Sequence, residues 1–188
     1  QAVRAALEMQ EAVDGFNERQ TAEGKPRFVT GIGINYGTVT VGNIGTEKKM
    51  DYTVIGDMVN LGSRLEGLNK VYGDARVIFS ESVYRKVKHL FPCRMLDKVV
   101  VKGKREGEKI FTARVSIDSR TEKAWKYHHA ALQCYYRRDF AKSLRFFEAV
   151  KSLLPNDVLS ALFLERCRRY LESPPPPGWD GQEIIKEK

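Results

Sequence analysis

Hydrophobic and polar positions recur with different periods along the 188 residues, and the periods predict the elements. Residues 1–20 place Val3, Leu7, Val13 and Phe16 near one face of an amphipathic helix, which Gly24-Lys25-Pro26 ends. Phe28–Asn35 alternates with period two. Phe28, Ile32 and Ile34 share a side, while Gly31 and Gly33 leave the other bare. Glycine inside a strand costs stability and marks close approach of another backbone or a ligand. After Tyr36-Gly37 turns the chain, Thr38–Ile44 and Met50–Ile55 are predicted strands on either side of the polar loop Gly45–Lys49.

Gly56 breaks this pattern, and Asp57 is the predicted N-cap of a helix reaching Asn69. Its apolar stripe is Met58, Leu61, Leu65 and Leu68. Asn60 and Arg64, four residues apart, project together from a different face. A turn at Tyr72-Gly73-Asp74 precedes a short strand, Arg76–Ser80, and a helix capped by Ser80 that carries Val83, Val87 and Leu90. Strands Cys93–Lys102 and Lys109–Val115 flank the Gly103–Gly107 turn. This order predicts an α+β layer with helices against one sheet. From Ser119 onward only helical patterns occur, over Thr121–Arg138, Asp139–Leu154 and Asn156–Glu172. Pro174–Pro177 then predicts a stiff extended segment, followed by Trp179 and a loosely held, charged tail.

Composition narrows the function classes. With 42% hydrophobic and 30% charged residues the chain has the make-up of a globular protein. No apolar run approaches the ~18 residues of a membrane span, so no membrane contact is expected. Three widely spaced cysteines argue against a disulfide scaffold and fit a reducing cytoplasm. The net charge of +8 is concentrated in Arg85–Lys109, where nine basic residues face three acidic ones. Such a surplus favours a polyanion. No zinc-finger spacing or RNA-binding aromatic motif accompanies it, so nucleic acid is not expected; a nucleoside triphosphate is. The first helix opens without a capping residue, and the chain is expected to continue a longer protein upstream.

Several consecutive blocks carry a resemblance: Gly31-Ile-Gly-Ile-Asn-Tyr-Gly37, Val41-Gly-Asn-Ile-Gly45, Met50-Asp-Tyr-Thr-Val-Ile-Gly-Asp57, Val59-Asn-Leu-Gly-Ser-Arg-Leu-Glu66 and Val100-Val-Lys-Gly-Lys104. Together they resemble the class III adenylyl and guanylyl cyclases, over about residues 1–115. The resemblance implies a ferredoxin-like cyclase fold lacking its first strands, with a C-terminal α-helical extension. It further implies a homodimeric parent enzyme whose composite sites convert ATP to 3′,5′-cyclic AMP and pyrophosphate for signalling. Asn60 then falls where the family orients the ribose, and Arg64 where it stabilises the charged transition state. Thr53 falls where the family reads the purine, and its oxygen can accept from the adenine 6-amino group. Lys102 matches a lysine that grips the terminal phosphates, and Lys48 or Lys49 is placed to reach a phosphate from the hairpin loop.

The family also uses two Mg or Mn ions, held by aspartates that belong before the first helix of this chain. Asp51 and Asp57 do not fall at those positions, so no metal ligand is assigned. The chain is expected to make no cyclic nucleotide alone.

The expected divisions are residues 1–117 for the partial catalytic domain, 118–173 for the helical extension and 174–188 for the proline-rich tail. Tyr127, Ala131, Phe147 and Pro155 loosely resemble one tetratricopeptide repeat. One repeat cannot bury its own face, so the extension should pack on the catalytic core, pair with a second chain or bind a protein partner. The rival reading is an inert cyclase-fold scaffold that binds a protein through these helices.

Overall fold

Alternation within the short strands decides which helix covers which face. In the computed structural model, which describes residues 1–46, 49–73, 75–100 and 107–184, strand β4 (Val77–Ser80) is buried throughout. Val77 and Phe79 point to one side of the sheet and Ile78 to the other. On the first side they meet Phe111 and Ala113 of β6 (Glu108–Ala113), Val3 and Ala6 of α1 (Ala2–Ala22), and Val83 of α3 (Glu81–Val87). On the second side Ile78 and Ile110 meet Leu61 and Leu65 of α2 (Asp57–Gly67), and Leu96 and Val99 of β5 (Cys93–Val100). The sheet order is β1-β4-β6-β5-β7, with β1 (Ile32–Ile34) at one edge and β7 (Glu183–Ile184) at the other. β1 lies parallel to β4 and β7 parallel to β5; the inner pairs are antiparallel. β2 (Thr40–Thr46) and β3 (Lys49–Ile55) form a separate antiparallel hairpin.

The expected α+β architecture is therefore present, with these adjustments. α1 buries Val3, Ala6, Gln10 and Asn17, while Phe16 is exposed. Two polar side chains enter the stripe because they satisfy the backbone of the next segment. Asn17 Nδ2 donates to the Phe28 carbonyl at 2.8 Å, and the Phe28 N–H donates to Asn17 Oδ1 at 2.7 Å. Gln10 Nε2 donates to the Thr30 carbonyl at 3.2 Å. These bonds replace a strand ladder, so the strand expected from Phe28 starts only at Ile32, and Phe28 and Val29 stay exposed. Leu90, expected on the α3 stripe, lies beyond the helix end and is exposed.

Three helices follow: α4 (Ser119–Tyr136), α5 (Phe140–Leu153) and α6 (Val158–Glu172). Asp118, Asp139 and Asp157 cap them, each accepting a backbone N–H three residues on. Their apolar faces join the second side of the sheet: Ala131, Tyr135, Phe147 and Phe163 lie in one cluster with Leu61, Leu65 and Ile110. The core thus runs across the expected division near residue 117. The extension packs on the catalytic core, the first of its three expected fates.

Two buried ionic clusters on β5 fix that packing. A bulge between Met95 and Asp97 turns Asp97 inward, where it is fully buried. Asp97 accepts from Arg166 of α6 at 2.6 Å, from Tyr72 Oη at 2.8 Å and from the Lys98 N–H at 2.8 Å. Burial pushes the Tyr72 hydroxyl up, so it donates as a neutral phenol. The second cluster is a fork: Arg94 Nη1 and Nη2 donate to the two oxygens of Asp157 at 2.5 and 2.8 Å. Arg94 Nη2 also meets His128 Nδ1 at 3.0 Å, and His128 Nε2 meets the Met95 carbonyl at 2.9 Å. These contacts assign the proton to Nε2 and leave Nδ1 as the acceptor.

As far as residue 184 the tail is not loose. Trp179 packs into the helices, and residues 183–184 add β7 to the sheet edge.

Candidate active site

The site is organised by α2, and α2 is held by glycines and one asparagine. A Cβ at Gly33 would lie 2.1 Å from the Gly62 carbonyl oxygen and 2.4 Å from the Glu66 nitrogen. Only a bare β1 lets the helix come that close. The close approach expected of this glycine is therefore to another backbone. At the N-terminal end, Gly56 occupies the cap position with φ +146°, a conformation that favours glycine. Asp57, expected as the cap, is instead the first helical residue. There its carboxylate faces the positive end of the helix dipole.

Asn35, just past β1, ties this turn to the rest of the molecule. Its Nδ2 donates to the Met58 carbonyl at 3.0 Å, and its Oδ1 accepts from Ser80 Oγ at 2.6 Å. Ser80 sits at the cap position of α3, but its hydroxyl is committed to Asn35 and makes no cap bond. Ser82 Oγ continues the chain of contacts to the Tyr36 carbonyl at 2.9 Å. The alternating pattern predicts Asn35 as the last residue of a strand and assigns it no tie to other elements. The available signal was an amide side chain at the end of a strand that two glycines had stripped of bulk.

On this helix Asn60 is exposed and Arg64 half-buried, one turn apart and flanking the Leu61–Leu65 stripe. Thr53 is exposed on β3, directly across from Gly42 of β2. A Cβ at Gly42 would meet nothing within 4 Å, so the hairpin surface beside Thr53 is bare. Asn60, Arg64 and Thr53 thus sit on consecutive elements joined by Gly56. Lys49 opens β3 opposite Thr46, with its side chain outside the described atoms. Lys48 and Lys102 lie outside the described residues.

The metal pair implied by the resemblance finds no donor set among the described residues. Among the described residues no three His, Cys, Asp or Glu side chains are grouped to hold an ion. Asp51 and Asp57 are exposed on separate elements. The residues described do not fit a two-ion centre. Also among the described residues, no helix is long and apolar enough to cross a membrane.

Comparison with known proteins bears on the family of the chain. An adenylate cyclase of Anabaena cylindrica is 44% identical over 117 residues, covering 58% of this chain and 23% of that protein. Adenylate cyclase 1 of Rhizobium meliloti is 42% identical over 103 residues, covering 55% and 15%. The terminal-differentiation specific adenylate cyclase of Dictyostelium discoideum is 30% identical over 187 residues, covering 92% of this chain and 8% of that protein. The last alignment runs on into the helical extension. The chain spans less than a quarter of the length of each of these relatives. The structure of a bacterial light-regulated adenylyl cyclase superposes with a TM-score of 0.51 at 26% identity, covering 63% of this chain and 33% of that one. Residues 1–114 match the family described as the adenylate and guanylate cyclase catalytic domain, and the chain belongs to that family.

Proposed function

We propose that this chain carries the transition-state half of a class III adenylate cyclase site, converting ATP to 3′,5′-cyclic AMP and pyrophosphate in a dimeric parent enzyme. The observation that carries the reading is the placement of exposed Asn60 and half-buried Arg64 one turn apart on a helix pinned at its start by Asn35.

Arg64 presents a planar fork suited to the oxygens of a phosphorus centre that gains charge during in-line displacement. Asn60, one turn earlier, is placed to hold the ribose by hydrogen bonds so that its 3′-hydroxyl faces that centre. The hydroxyl of Thr53 accepts from the adenine 6-amino group, and the bare strand opposite leaves room for the base; this favours ATP over GTP. Lys102, with Lys48 or Lys49, neutralises the terminal phosphates. The described residues supply no donor set for the Mg or Mn ions, and the chain alone is expected to be inactive.

The test is complementation. The purified chain is mixed with a related cyclase domain that retains its metal aspartates but has its own transition-state arginine replaced by alanine. Cyclic AMP should form from ATP with Mn²⁺ in the mixture and in neither component alone. Arg64→Ala in this chain should lower the rate ~10²–10³-fold, the cost of losing one charge-stabilising donor. A mixed dimer that forms without producing cyclic AMP refutes the reading, and product from the chain alone refutes its inactivity.

A further inference from the structure

The proline-rich segment after α6 has the environment of a bound ligand. Pro175 is buried although its neighbours are exposed. The Arg138 guanidinium donates to the Pro175 carbonyl at 2.5 Å and to the Pro176 carbonyl at 3.0 Å. Pro177-Gly178 then forms a tight turn, with Gly178 at φ +85° and the Trp179 N–H donating to the Pro176 carbonyl at 3.2 Å. The turn drops the Trp179 ring among three aromatic rings, with centroids 5.1 Å from Tyr170, 5.3 Å from Tyr135 and 5.7 Å from Phe140. Asp180 accepts from Lys98 Nζ at 2.7 Å, and β7 follows along the outer edge of β5.

The receptor side is equally specialised. Arg138 is the one non-glycine with positive φ among the described residues, at +65°. It is the left-handed residue that ends α4, with its N–H donating to the Tyr135 carbonyl at 2.9 Å and the Asp139 N–H donating to the Cys134 carbonyl at 3.0 Å. Here it lies at the α4–α5 corner, the rim of the aromatic cradle. Aromatic walls with a donor at the rim suit a polyproline segment, whose backbone offers acceptors without donors and loses little entropy on binding.

We propose that Tyr135, Phe140 and Tyr170, with Arg138, form a recognition site for a Pro-Pro-Pro-Gly-Trp-Asp peptide that turns at its Pro-Gly step. Residues 175–180 occupy it in cis as an exchangeable latch, and the latch delivers β7 to the sheet. Occupied, the latch closes the outer edge of β5, which would otherwise present unpaired backbone groups.

The test keeps the full chain. Trp179→Ala removes the anchor of the latch. A fluorescein-labelled peptide of residues 174–184 is then titrated by anisotropy against this variant, the wild type and the Arg138→Gly/Trp179→Ala double variant. The Trp179→Ala chain should bind the peptide at least tenfold tighter than the wild type, whose cradle is filled. Adding Arg138→Gly should weaken that binding at least tenfold. Equal binding to all three chains, with the native circular dichroism retained, overturns the proposal. Should Trp179→Ala fail to fold, Arg138→Gly decides alone, because glycine accepts the positive φ while the guanidinium is lost. Hydrogen exchange at the amides of residues 182–184 should then quicken tenfold or more while α4–α6 keep their protection; unchanged exchange there overturns the proposal.

Discussion

Gly33 and Gly42 belong to one glycine-rich stretch and act in opposite ways. A methyl group at Gly33 would drive into the backbone of α2, whereas one at Gly42 would meet open space. Gly33→Ala should therefore destabilise the chain by ~1–3 kcal/mol, the usual cost of overpacking, and shift the helix that bears Asn60 and Arg64. Gly42→Ala should change stability by less than ~0.5 kcal/mol, as surface substitutions do. Urea denaturation of the two variants checks both, and equal losses would contradict the packing described. His128 makes a second prediction at this scale. It is buried, and burial followed by the nearby Arg94 charge holds its pKa well below the ordinary imidazole value. The unfolded chain therefore binds a proton near the normal pKa of about 6.5 that the folded chain refuses. The contribution of neutral His128 is complete above that pH and declines as the pH falls below it, by up to ~1.4 kcal/mol per pH unit. Thermal unfolding between pH 5 and 7.5 should show this slope, and His128→Gln should flatten it.

At the scale of elements, β5 joins the catalytic core to the helices through charged pairs in an apolar setting. Arg166→Met alone strands the buried Asp97 carboxylate and should cost ~3–5 kcal/mol, while Asp97→Leu/Arg166→Met should recover most of that loss. A double-mutant cycle by urea denaturation measures the coupling. Because one core spans both sides of residue 117, the wild type should unfold in a single transition by fluorescence and circular dichroism; two transitions would divide the molecule there. The same element shows which parts of the fold are legible in sequence. Leu61 and Leu65 on the buried face of α2 and Leu68 in the turn after it follow from periodicity alone, and so do the order of elements as far as α6 and the spacing of Asn60 and Arg64. The Asp97 bulge, the polar Gln10 and Asn17 in the α1 stripe, and the hub at Asn35 do not. Each places a polar group inside because a partner distant in sequence satisfies it, and no local pattern encodes that partner. The docking of Trp179 escapes for the same reason: a proline run specifies an extended backbone, and the cradle that receives it is built from three other helices.

At the scale of the whole molecule, the β2–β3 hairpin stands apart from the five-stranded sheet and leaves apolar side chains in solvent. Val41 pairs across from Val54, and Asn43 from Tyr52, so Val41, Val54 and Tyr52 share one face. They are 51%, 41% and 77% exposed. Val59, on the first turn of the adjacent α2, is exposed too. A two-stranded ribbon is marginal by itself, and a contiguous apolar patch beside a candidate site points to a partner surface. Under the proposed function, a second catalytic domain docks on the hairpin and brings its own metal aspartates to Asn60 and Arg64. Tyr52→Glu/Val54→Glu puts two charges on this face without touching the core. Its unfolding free energy should stay within ~0.5 kcal/mol of wild type, as expected for surface changes. Sedimentation should show association with the complementing domain weakened at least tenfold, about 1.4 kcal/mol. Cyclic AMP formation in the mixture should fall in parallel and be restored by raising the protein concentration. That rescue separates the docking face from the chemistry, because Arg64→Ala assembles normally and stays slow at any concentration. A double-Glu variant that associates and turns over like wild type would move the partner surface away from the hairpin.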